Sequence, residues 1–288
     1  MIKKHAGKLS LSAACRLLEV RRTGYYEWAA RDGERPQRVR QDEALTVKIK
    51  NIFYESKRVY GARKIQRLLR REGWKVGRKR IRRLMLQAGL VPITYRRHVQ
   101  TTDSRHALAI FPNLLNRDFT AAAVNRVWVS DFTYIRTDEG WLYLCTVLDI
   151  CSKRVVGWAV SRTIDRHLAI AALEKAIKAR RPASGFIFHS DRGSQYASAD
   201  FRNTLARHGG RQSMSGPGNP YDNACAESFF RSLKVECVDA AHFTSRKQAA
   251  DQIAEYLLFY NRRRIHASLD YRTPAAFERD LANLSLAL

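Results

Sequence analysis

The spacing of hydrophobic positions changes twice along the chain. From residue 9 to 90 it is helical. Leu11, Ala14, Cys15, Leu17 and Leu18 share one face, and a second short helix is expected after Thr23. The charged stretch RDGERPQRVRQ, with Gly33 and Pro36, then separates this pair from a helix expected from about Gln41 to Ser56. Ile65, Leu68 and Leu69 predict a helix that Gly73 ends; Ile81, Leu84, Met85 and Ala88 predict another that Gly89 ends. Residues 92–125 show no period. With Pro92 and Pro112 they read as an extended connector, too long for the inside of one compact domain. After it the apolar runs become short: VWVSDFTYI (127–135), WLYLCTVLDI (141–150) and RVVGWAV (154–160), joined by tight turns as in an antiparallel meander. A helix over about 165–181, a strand GFIFHSD (185–191), a helix over about 197–208 and a strand at 211–214 follow. The Gly- and Pro-rich SGPGNPYD (215–222) precedes a long helix from Asp222 or Asn223, and a final helix covers about 245–262.

This pattern predicts three regions: an all-α region over 1–91, a connector over 92–125 and an α/β domain over 126–288. Three antiparallel strands, a crossover helix, a fourth strand and further helices make a mixed five-stranded sheet with flanking helices, the order of the ribonuclease-H-like fold. A Rossmann sheet is set aside because no G-x-G-x-x-G follows the first strand. Trp128, Trp141 and Trp158 are expected in or beside the core.

Charge divides the chain in the same way. Residues 1–125 hold 29 Lys and Arg against 10 Asp and Glu, net +19, while residues 126–288 carry only +6. A surplus of this size points to a polyanion partner. Arg63, Lys64, Arg78, Lys79, Arg80, Arg82 and Arg83 line the outer faces of the two helices between 61 and 90, so a helix-turn-helix DNA reader is expected there. The plain alternative is a helical hairpin with a solvated basic face. The five cysteines are odd in number and include no C-x-x-C, so neither a disulfide framework nor a zinc site is indicated, and a reducing, cytoplasmic setting fits. MIKKHAGKLSLSAAC lacks the uninterrupted apolar stretch of a secretion signal, and no apolar run is long enough to span a membrane.

Three acids stand where a polar residue is awkward. Asp131 interrupts the first apolar strand, Asp191 closes the fourth in HSDRGSQY, and Glu227 lies in ACAESFFRSLK on a helix with Phe229, Phe230 and Leu233. Each alone would read as a cap, an ion pair or a turn residue. In a ribonuclease-H-like sheet, however, the first and fourth strands are neighbours, and a later helix can bring Glu227 over both acids. Three convergent carboxylates suit hard, oxygen-loving cations such as Mg²⁺, and two such ions suit phosphodiester displacement.

With these residues in view, the chain resembles the DDE transposases and retroviral integrases, in which two Asp and a Glu recur with this spacing between the last two. More narrowly it resembles the second-frame (OrfB) product of two-frame bacterial insertion sequences. The matching stretches are VWVSDFTYI, LYLCTVLDICSKRVVGWAV, FHSDRGSQY, SGPGNPYDNACAESFFRSLKVE, YNRRRIHASLDYRTPAAF and the basic YGARKIQRLLRREGWKVGRKRIRRLM. The resemblance covers most of residues 40–280. It implies a transposase that binds element ends and target DNA, cuts and joins strands with Asp131, Asp191 and Glu227 holding two Mg²⁺ (Mn²⁺ substituting), and assembles at least as a dimer on DNA. It also implies an upstream-frame product as a partner, a bacterial setting, and contact of Lys234 with terminal DNA. A non-catalytic DNA-binding regulator derived from such an element is the rival; a decayed product need not keep its acids, and all three are present.

An ideal helix from Asn223 would place Asn223, Glu227, Arg231 and Lys234 on one stripe, with acid and bases arranged as a metal ligand beside phosphate clamps. His189 and Asp149 read as structural. Gly216, Pro217, Gly218 and Pro220 suggest a loop beside the site. Tyr260, Asn261, Arg264 and His266 match the family pattern without an assignable role.

Overall fold

The computed structural model describes residues 10–30, 36–93, 110–115, 121–216, 223–239 and 241–286, and the chain divides into two compact units, 1–91 and 92–288. The N-terminal nine residues, the linker around Gly33 and the loop residues Pro217, Gly218 and Pro220 lie outside the described residues.

In the first unit the helices are α1 (Leu11–Leu17), α2 (Arg22–Ala30), α3 (Gln37–Glu55), α4 (Ala62–Arg71) and α5 (Arg78–Gln87). Ser10 caps α1 by accepting from the Ala13 N–H. Helix α3 starts at Gln37 rather than near Gln41 because Pro36, at its N-cap, presets the entry. Helices α3, α4 and α5 pack on one another, and Leu45, Ile49, Phe53, Ile65, Leu69, Ile81, Leu84 and Met85 are buried. Gly73 and Gly89 end α4 and α5 with φ of +86° and +65°, a conformation that costs other residues energy.

One acid ties this unit together. Asp42 on α3 accepts from Arg80 Nε and Arg83 Nη2 of α5, both at 2.7 Å. The Arg83 hydrogen bond, reinforced by Arg80, holds the Asp42 carboxyl below the usual range. Its contribution is therefore complete above the unfolded-state value of about 3.9 and is lost as pH falls through the depressed folded value. Asp42→Asn should loosen α5 by about 1 kcal/mol at neutral pH. Hydrogen exchange of α5 amides in the full chain should show that gap closing in acid; a gap independent of pH would remove Asp42 as its source.

The second unit is built on a five-stranded sheet of order β3-β2-β1-β4-β5, with β1 Val127–Thr137, β2 Gly140–Asp149, β3 Val155–Ser161, β4 Ile187–Ser190 and β5 Arg211–Met214. β1, β2 and β3 pair antiparallel, whereas β1–β4 and β4–β5 are parallel. This is the predicted mixed sheet. The parallel step requires a crossover, which α6 (Arg166–Arg180) supplies. Asp165 caps α6 by accepting from Leu168 N–H at 3.0 Å.

Both faces of the sheet are covered. Val129, Ile135, Leu144 and Leu148 face α9 (Ala224–Leu233) and α10 (Arg246–Arg262) through Phe229, Leu233, Ile253, Tyr256 and Tyr260. Trp128, Cys145, Val147 and Ala159 face α6 and α8 (Ala199–Arg207) through Leu168, Leu173, Phe201 and Leu205; Tyr196 of the short α7 (Ser194–Ala197) joins them. Gly157 lets β3 lie directly under α6, since a Cβ there would fall 2.4 Å from the Ala172 carbonyl oxygen. Trp128 is fully buried and Trp158 partly so, but Trp141 is 46% exposed, contrary to the expectation from sequence.

The described part of the expected connector is not free chain. Phe111 and Leu115 pack on the sheet unit, Leu114 N–H donates to Ser213 Oγ, and Met214 N–H donates to the Pro112 carbonyl. Their apolar contacts are isolated rather than periodic, which is why no element was legible there. A further helix, α11 (Pro274–Leu286), was also missed. Its Glu278 accepts from Arg180 and Arg154, joining α11 to α6 and to the β2–β3 turn.

Among the described residues no helix is long and apolar enough to cross a membrane.

Candidate active site

The sheet register sets the geometry of the acids. Val127, Trp128 and Val129 pair with Ile187, Phe188 and His189. Two residues further along stand Asp131, within β1 and on the same face as Val129 because side chains alternate, and Asp191, just past the end of β4. That is the face covered by α9, the helix that carries Glu227.

Asp131 senses both partners. Its carboxyl is pushed well above the usual range, first by burial, then by the negative charge of Asp191, with Glu227 adding to it; one oxygen accepts from the Phe132 N–H at 2.7 Å. Asp191 accepts from Gly193 N–H at 3.0 Å, closing a tight turn at the end of β4. Among the described residues no three His, Cys, Asp or Glu stand at metal-holding spacing, so the acids form an open cluster and not a finished cage. The donor set itself is all carboxylate oxygen, and the charges of Asp191 and Glu227 add to the raised proton affinity of Asp131. A group of that kind suits Mg²⁺ or Mn²⁺, whose charge would relieve the repulsion.

The expected stripe around Glu227 differs from an ideal helix. Asn223 is only 6% exposed; its Nδ2 donates to the Ser130 carbonyl at 3.4 Å, beside Asp131, and its Oδ1 has no partner among the described residues. It braces β1 rather than facing solvent as a DNA contact would. Arg231 stays exposed, one turn beyond Glu227. From Lys234 onward the helix widens into a π-turn, Lys234–Val238. Lys234 Nζ donates to the Tyr134 carbonyl at 2.5 Å and is half-buried; burial lowers its proton affinity.

The basic residues of the first unit also separate into two groups. Arg80 and Arg83 are engaged by Asp42, and Lys64 lies 4.8 Å from the Tyr60 ring centroid. Arg63, Arg78, Lys79 and Arg82 are exposed and make no ion pair among the described residues. Sequence alone could not make this division, because Asp42 lies far from α5 along the chain.

Residues without a role from sequence acquire one here. Arg264 donates to both oxygens of Glu236 in the π-turn, and Tyr256 Oη donates to the same carboxylate at 2.8 Å. Tyr260 packs edge-on against Phe229 and His266. Asn261 pairs with both backbone groups of Val155, taking the place of a neighbouring strand at the edge of β3. His189 bonds Ser213 and Ser215 inside the core, and Asp149 accepts from Ser152 and Asn125 N–H groups; both are structural, as expected.

Comparison with known proteins agrees with these two units. The model of an HTH-like domain matches residues 40–98, and two models of the integrase core domain match residues 121–220 and 208–274. The chain is 39% identical over 278 residues to the transposase InsF of insertion sequence IS3A from Escherichia coli (strain K12), covering 96% of each. It is 41% identical over 264 residues to an uncharacterized 31 kDa protein of insertion element IS600 from Shigella sonnei, covering 91% of this chain and 96% of that one. The catalytic core domain of BIV integrase aligns over 56% of this chain and 99% of its own, with a TM-score of 0.45 and 17% identity.

Proposed function

The chain belongs to the family of the IS3 transposase InsF, and from that premise we propose that it binds the ends of an insertion sequence and catalyses metal-dependent strand cleavage and strand transfer. What supports this reading is the β1–β4 register, with Val129 beside His189, which brings Asp131 and Asp191 just past the paired stretch, and the packing over that face of the helix that carries Glu227. Asp131, Asp191 and Glu227 would hold two Mg²⁺, which when bound ready an attacking oxygen and stabilise the leaving one.

The protein's own residues have separate tasks. Asp131 and Asp191 each stand two residues past the last β1–β4 backbone pair, so the register of the sheet decides which stretches of chain bring them together. Asn223 ties the start of α9 to the Ser130 carbonyl and so fixes how Glu227 approaches. No Ser or Tyr nucleophile is needed, because water and then a DNA 3′-hydroxyl serve as attacking groups. Arg63, Arg78, Lys79 and Arg82 would meet phosphates and base edges of the element ends.

The direct test is incubation of the protein, with Mg²⁺ or Mn²⁺, on duplex carrying the terminal repeats that flank its coding sequence. End cleavage and joining are expected; binding without cleavage would favour a DNA-binding regulator instead. Duplex affinity should also fall by roughly a thousandfold between about 50 and 200 mM salt if six to ten phosphates are neutralised. Arg78→Ala with Arg82→Ala should lower the salt slope by about two. A slope unchanged in the double variant would take α5 off the DNA.

A further inference from the structure

The β1–β2 pair extends beyond the rest of the sheet. β4 pairs with β1 only as far as Val129, and β3 reaches β2 only as far as Tyr143. Residues 134–142 therefore form a two-stranded ribbon. In its register Tyr134 lies opposite Tyr143 and Arg136 opposite Trp141, so these four share one face. This is the continuation of the face that carries Phe132 and Cys145, which the second core cluster covers.

At the tip the aromatic rings are only partly covered by the described residues. Tyr134 is 43% and Trp141 46% exposed, and the two meet edge to face with centroids 5.2 Å apart. Cations surround them. Arg136 is exposed and makes no ion pair among the described residues; Lys234 Nζ lies 4.8 Å from the Tyr134 centroid; Arg246 Nε donates to the Trp141 carbonyl. The acids of the turn have their own partners: Asp138 bonds His242, and Glu139 accepts from Arg246 N–H. Exposed aromatic rings amid cations match the chemistry of unpaired nucleic-acid bases over a phosphate backbone. Tyr134 is three residues along the strand from Asp131, about 10 Å, and that odd step puts its ring on the other face of the sheet.

We propose that Tyr134, Trp141 and Arg136 form a stacking platform for unpaired bases of the DNA at the tip of this ribbon, on the face of the sheet opposite the acidic cluster. The inference rests on the transposase reading and adds to it a single-stranded element of the substrate. Nucleotides left unpaired at a processed duplex end would find a π-surface for their bases on the ribbon, and Arg136 would meet their phosphates. The charge of the site favours this occupant over a second copy of so basic a chain.

The test is binding of the full chain to a labelled single-stranded thymidine oligonucleotide and to a blunt duplex of equal length. Trp141→Ala and Tyr134→Ala should each weaken single-strand binding by about tenfold, within the range of one base–aromatic stack, and leave duplex affinity and melting temperature unchanged. Trp141→Phe should recover part of the loss. Equal losses on both DNAs, or none, would overturn the platform. Dissociation of an oligomer in Trp141→Ala with single-strand binding intact would also overturn it and make the patch a contact between copies. Wild type that binds and cuts duplex but ignores the oligonucleotide sinks this inference alone. Wild type that binds neither sinks the transposase reading as well.

Discussion

Glu227→Gln, Asp131→Asn and Asp191→Asn are each expected to lower end cleavage by at least about a thousandfold, equivalent to about 4 kcal/mol of barrier. Each substitution keeps the shape of the side chain and removes one anionic oxygen donor. Duplex affinity at moderate salt should stay near wild type, because the exposed arginines of α4 and α5 belong to the other unit. A second readout separates loss of metal from loss of fold. Mn²⁺ should raise the melting temperature of the wild type, as any ligand of the native state does, and should do so far less for the variants. Their metal-free melting temperatures should be no lower, since each change relieves repulsion within the cluster. Cleavage at the wild-type rate by Glu227→Gln would remove it from the site.

The largest effect on stability is expected at Arg264. Its side chain is 12% exposed and that of Glu236 7%, with hydrogen bonds of 2.6 and 2.8 Å between them. Burial works against the Arg264 charge, but the Glu236 carboxylate outweighs it and holds the proton more tightly than usual. Arg264→Met would leave Glu236 buried with Tyr256 as its remaining side-chain donor among the described residues and should cost about 3–5 kcal/mol. Arg264→Met with Glu236→Gln should cost much less, because no uncompensated charge remains. Denaturant unfolding of the single and double variants measures the difference; additive losses would mean that the two side chains act independently.

These predictions draw on features that were not equally visible in the sequence. The strands could be read because Asp131 and Asp191 each interrupt or end an apolar run, and the crossover order left few arrangements for them. Helix α11 was readable in principle: Thr273 followed by Pro274 is a cap followed by a residue preset for a first turn, and Ala276 N–H does bond Thr273 Oγ1. The stripe from Asn223 to Lys234 loses its first residue for another reason. Extrapolating 3.6 residues per turn assumes that the helix already includes Asn223, but Asn223 is its non-helical N-cap and turns inward to the Ser130 carbonyl. The pairing of Asp42 with Arg80 and Arg83 depends on helices meeting in three dimensions, which no local pattern encodes. Trp141 was misplaced because aromatic residues in a strand are usually buried, and nothing in its neighbours says that β3 stops short of the tip.

The side chain of Asn261 on Val155 has a consequence for assembly. At one border of the sheet it occupies the donor and acceptor that an incoming strand would seek first, and at the opposite border the Pro112 carbonyl occupies the N–H of Met214. An open border is a template for uncontrolled edge-to-edge growth. With an amide plug on one side and a stretch of irregular chain on the other, neighbouring molecules are steered away from merging their sheets into a continuous ladder, and toward joining through helices, loops or shared DNA.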